Sequence, residues 1–153
     1  MESHGRGNIK LGLTIRRPSD ADGYLTSAQD FWRGLRDLSA NDSGATFSVG
    51  LLASQATEGT LKSYLSLKGV PTVKLCKLGH DLEALWELAY QLGFPLANPT
   101  PSWVKALATG HSGPDFFFRY PLGLHGISIP RATLLVSSIE AMIDHVYATA
   151  RGP

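Results

Sequence analysis

The sequence predicts an all-α fold, and three observations carry that expectation. Apolar residues recur at helical spacing in five separate segments, whereas strict alternation is confined to short pieces near residues 9–15 and 126–130. Polar starts and glycine stops frame several of the periodic segments. The composition, 153 residues with 43% hydrophobic and 18% charged residues and a net charge of +1, is that of one globular domain able to bury a core.

Residues 1–8 are polar and contain glycine, which reads as a disordered tail and leaves 9–153 as a single domain. Ile9, Leu11, Leu13 and Ile15 alternate with Lys10, Gly12, Thr14 and Arg16, the pattern of a short N-terminal strand. Its available partner is the strand-like piece at 126–130 just before the last helix, or the run of Phe116, Phe117 and Phe118. Pro18 ends the strand, and 19–23 reads as a turn cluster. Ala28, Phe31, Leu35 and Leu38 then mark a helix over 27–39, with Ser27 as N-cap. A long helix follows over 45–68, carrying Phe47, Leu51, Leu61, Tyr64 and Leu65. Its small residues Ala53, Ser54, Ala56 and Gly59 predict close approach by neighbouring helices, and Gly69 and Pro71 stop it. Leu82, Leu85, Ala89 and Leu92 give a helix from Asp81 to a stop at Gly93. A shorter one is predicted over 102–109, and Leu135, Ile139, Met142, Ile143 and Val146 form the stripe of a last helix over 131–150. The loop at 110–130 is long and rich in Gly, Pro, His and aromatic residues, which makes it the first place to look for function.

A single cysteine, Cys76, excludes a disulfide framework and a thiolate zinc site, with a lean towards a reducing compartment. The uncharged run at 89–104 contains Gly93, Pro95, Pro99 and Pro101 and cannot cross a membrane as a helix. With no secretory signal pattern at the start, a cytoplasmic protein without membrane association is expected. The near-neutral charge argues against a dedicated duplex-DNA binder but leaves room for a local basic pocket.

Glu58 and Lys62 are spaced i, i+4 with the acid first, so they form either a solvated surface pair or the lining of a polar pocket. Asp81 stands where it can cap a helix, and His80 beside it can face Lys62 or Glu58 and help to hold a polar ligand. Arg119, between Phe118 and Tyr120, offers a phosphate grip beside a stacked base; a structural salt bridge to Asp115 is the alternative. Phe116, Phe117 and Phe118 read as core plugs before they read as a stacking platform. No pair of histidines or carboxylates has metal-ligand spacing, so neither a metal nor another cofactor is expected. Trp32, Trp86 and Trp103 are expected as interior anchors. Trp32 or Phe94 is the apolar surface expected to serve a second subunit.

The stretch Thr57-Glu58-Gly59-Thr60-Leu61-Lys62-Ser63-Tyr64-Leu65, followed by Leu78-Gly79-His80-Asp81-Leu82-Glu83-Ala84-Leu85, resembles the HEPN superfamily, in which a helix reading E-x-x-L-K-x-x-L leads to a G-H-D-L that opens the next helix. The resemblance runs from about Ala45 to about Ala150, and Phe118-Arg119-Tyr120-Pro121 is similar to a recurrent loop of some members. It implies an up-and-down four-helix bundle, a homodimer, and a nucleotide or RNA ligand held near Glu58, Lys62, His80, Asp81, Arg119 and Tyr120. Catalytic members carry an Arg and then, after four to six intervening residues, a His near the start of the last helix. Arg119 and His125 have that spacing, but Pro121 and Gly123 lie between them, ahead of the last helix. A non-catalytic binding protein is therefore the expectation. A protein-interaction module is the alternative, and a metal-independent endoribonuclease is the third reading.

Overall fold

The computed structural model describes residues 19–42, 44–112, 116–119 and 128–152. They form six helices: α1 (Asp20–Ala40), α2 (Thr46–Leu67), α3 (Thr72–Leu78), α4 (Leu82–Gln91), α5 (Ser102–His111) and α6 (Ala132–Arg151). No strand occurs among the described residues, so the all-α expectation holds. The tail at 1–8 and the expected strand at 9–15 lie outside the described residues. Of the expected partner, 128–130 is described and is not a strand: Pro130 offers no N–H to a ladder, and α6 begins two residues later. The alternative partner is not a strand either, since 117–119 is a turn.

One helical boundary and one whole helix differ from the sequence reading for identifiable reasons. α1 starts at Asp20 rather than near Ser27, because Ser19 is the N-cap and its hydroxyl accepts from the Asp22 N–H at 3.2 Å. Asp20 and Asp22 fall in the first turn, where the helix dipole favours acids, so the residues that read as a turn are a helix start. α3 is absent from the sequence reading. Pro71 reads as a stop beyond α2, yet it serves as the extended N-cap of α3, a short helix with only Leu75 buried and hence no apolar stripe to detect. The Thr72 hydroxyl donates to the Asp20 carboxylate, tying the start of α3 to the start of α1.

α2 is the central element and packs against α1, α4, α5 and α6. Its partners along α1 run in opposite order, Ala28 against Gly59 and, one end further on, Ala21 against Ser63, so the two helices are antiparallel. A Cβ at Gly59 would lie 3.0 Å from both the Ala28 Cβ and the Tyr24 carbonyl oxygen, which is why small residues line this seam. The polar residues buried in α2 are largely satisfied by the backbone: Thr57 donates to the Ala53 carbonyl at 2.8 Å, Thr60 to Ala56 at 2.6 Å, and Ser63 across to Ala21 at 2.7 Å.

The tryptophans anchor as expected. Trp86 is buried, donates to the Ala97 carbonyl at 2.9 Å and meets Trp103 edge-on at 5.6 Å. Trp32 is half-buried and donates to the Val136 carbonyl of α6 at 2.9 Å, and Phe94 is buried, stacked on Tyr64 at 4.3 Å. Both side chains expected to face a second subunit are thus engaged inside this chain. No described helix is long and apolar enough to cross a membrane.

Candidate functional site

Glu58 and Lys62 lie one turn apart on α2, and both are buried, at 8% exposure each. The central position of α2, packed against α1, α4, α5 and α6, accounts for this burial. Burial of a carboxylate demands donors, and Glu58 has them from three directions. His80 Nδ1 donates to Oε1 at 2.7 Å, His111 Nε2 donates to the same oxygen at 3.0 Å, and Lys62 Nζ donates to Oε2 at 3.4 Å. Burial alone pushes the Glu58 carboxyl up, but the donors from His111 and His80 and the Lys62 charge outweigh it and hold the group below its ordinary value. Glu58 is therefore the ionised hub of the cluster.

The two histidines are delivered by helix ends. His80 sits in the turn between α3 and α4, immediately after Gly79, whose φ of +58° with ψ of −127° is a conformation that favours glycine. Asp81 then starts α4, its carboxylate accepting from the Ala84 N–H at 3.0 Å. Capping is thus its role here, and it holds His80 in place through the backbone. His111 is the last residue of α5 and is fully enclosed, whereas the His80 side chain is 37% exposed. The cluster is consequently closed on the His111 side and open at His80. Nδ1 of His80 is engaged by Glu58, while Nδ1 of His111 is buried without a partner among the described residues.

The segment 116–119 forms a turn beside this opening. The Phe118 N–H donates to the Gly110 carbonyl at 2.9 Å, and the Phe118 ring fills a slot between α2 and α5. A Cβ at Gly50 or Gly110 would come within 2.5 Å of that ring, so both must be glycine for the plug to seat. Phe116 meets the His80 ring edge-on at 6.3 Å, and the Arg119 N–H donates to the Phe116 carbonyl at 2.9 Å. Arg119 is exposed, and its guanidinium makes no ion pair among the described residues.

Of the residues singled out in the sequence, Glu58, Lys62 and His80 converge, Asp81 supports them, and Arg119 stands on the turn that borders them. Tyr120 and His125 lie outside the described residues, as does Asp115. His111 belongs to the cluster and was not assigned to it, because 53 residues separate it from Glu58 and no local spacing signals the contact. A shallow cleft of about 350 Å³ lies beside the cluster, lined by Asp81, Glu83, Ala108, Thr109 and Ser112. Another of about 350 Å³, between the end of α1 and the start of α6, shares no residue with the cluster. Compared with protein-family models, with curated proteins and with solved structures, the chain matches none of them.

Proposed function

We propose that the chain is a HEPN-like four-helix-bundle protein, built around α2, that binds a nucleotide or a short RNA segment without cleaving it. The observation that carries this reading is the Glu58 cluster with a single half-open member: a buried carboxylate holds His80 by Nδ1 while the rest of its ring stays partly exposed, beside the Phe116 edge and the turn that bears Arg119. Phosphate oxygens suit the fork of Arg119, a base suits the Phe116 side of the turn, and His80 Nε2 accepts from a base amino group or ribose hydroxyl. Non-catalytic binding fits because Glu58 engages both cluster histidines, leaving one partly exposed ring rather than an acid and a base facing one phosphate. The homodimer implied by the resemblance is kept as part of this reading, with no face assigned to it.

The test is the affinity of a labelled single-stranded RNA oligonucleotide, and of AMP and GMP, between about 50 and 200 mM salt. Binding that weakens with a shallow salt slope, and that falls further in Arg119→Lys and His80→Ala, supports the proposal. Equal affinity in all three proteins removes the site, and no binding by wild type leaves the protein-interaction reading. RNA cleavage in EDTA overturns the non-catalytic part.

A further inference from the structure

The donor set of the buried cluster has a second chemistry. Glu58 Oε1, His80 Nδ1 and His111 Nε2 come from α2, the α3–α4 turn and the end of α5, and all three atoms lie within 4.8 Å of one another. One carboxylate and two imidazoles are a ligand set for a divalent first-row transition ion, and three protein ligands leave a coordination position open. We propose that Glu58, His80 and His111 form a binding site for such an ion, of the Zn(II) class, with its open position on the His80 side.

Geometry carries this. Bonds of about 2.0–2.1 Å in a tetrahedral site put donor atoms about 3.3 Å apart. The two histidine nitrogens stand 2.7 and 3.0 Å from Oε1, so each must part from that oxygen by a few tenths of an ångström to admit an ion, within a donor set no wider than 4.8 Å. The half-open His80 supplies that movement and the entry path. The imidazole rings are not stacked but set edge-on at 73° with centroids 5.2 Å apart, and one nitrogen of each meets the same carboxylate oxygen. Lys62 occupies Oε2 and so presents Oε1 as a single donor, the orienting task of an outer-shell partner. When His80 ligates through Nδ1, its proton sits on Nε2 of the partly exposed ring. His111 ligating through Nε2 carries its proton on Nδ1, for which no described acceptor exists. Lacking that hydrogen bond, the site is expected to bind roughly 10–100-fold more weakly than a fully supported one. This inference does not depend on the nucleotide reading, because the ion alone tests it.

The experiment is titration of the full chain with Zn(II) by calorimetry and with Co(II) by visible absorption, in a Cys76→Ser, His4→Ala background that removes the exposed thiol and a histidine near the N-terminus. The expected result is one ion per chain with the absorption of a four- or five-coordinate Co(II) site, a loss of at least about tenfold in His80→Ala, and a comparable loss in Glu58→Gln. Circular dichroism of each variant reports whether it is folded, and His80→Ala, at the half-open position, keeps the test decisive if a buried variant unfolds. No Zn(II) uptake by the folded background protein overturns the proposal, as does uptake that His80→Ala leaves unchanged.

Discussion

Glu58 carries the largest single consequence in the molecule. Truncating it strands the Lys62 ammonium and two imidazole donors in the interior, so Glu58→Ala is expected to cost about 3–5 kcal/mol, read from urea unfolding. Lys62→Ala is milder, about 1.5–3 kcal/mol, because both histidines still satisfy the carboxylate. A loss in Lys62→Ala as small as that of an exposed pair would contradict the burial of the cluster. The pH dependence has a definite sign. Since the folded Glu58 carboxyl is held below its ordinary value of 4.5, its contribution is fully present above that pH and is lost as pH falls through the folded value. Unfolding measured below pH 4.5 should therefore be less acid-sensitive in Glu58→Gln than in wild type.

At the scale of elements, the cluster depends on how two helix ends are held. Gly79 supplies a left-handed φ directly before His80, so Gly79→Ala should destabilise the chain by about 1–3 kcal/mol and weaken any ligand that relies on His80. Gly110→Ala should drive the Phe118 ring from its slot at about 1–3 kcal/mol and disturb the turn that bears Arg119. Thermal melts check both stabilities, and RNA affinity separates their effects on the site. The sequence made α4, α5 and α6 legible because each has a stripe of apolar residues and, at α4, a capping aspartate, whereas α2, buried on all sides, was legible from its apolar and small residues and its stop at Gly69. It concealed α3, which is seven residues long and buries one, and it hid the start of α1, since Ser19 and Asp20 serve turns and N-caps equally well.

For the whole molecule, the arrangement of helices around α2 turns residues distant in sequence into one site. The Glu58–Lys62 pair was visible at i, i+4 spacing and His80 through its neighbour Asp81, whereas the third donor, His111, needed the packing of α5 against α2. Tertiary contact, unlike periodicity, leaves no trace in a single sequence. The central claim is that ligand enters at the open face of this cluster. The most direct measurement is histidine-selective nuclear magnetic resonance of the full chain as AMP is added. The His80 ring nitrogens should shift saturably, while His145, packed on Phe94 in α6, should not move. A saturable response confined to His145, or none at any histidine, would contradict that claim.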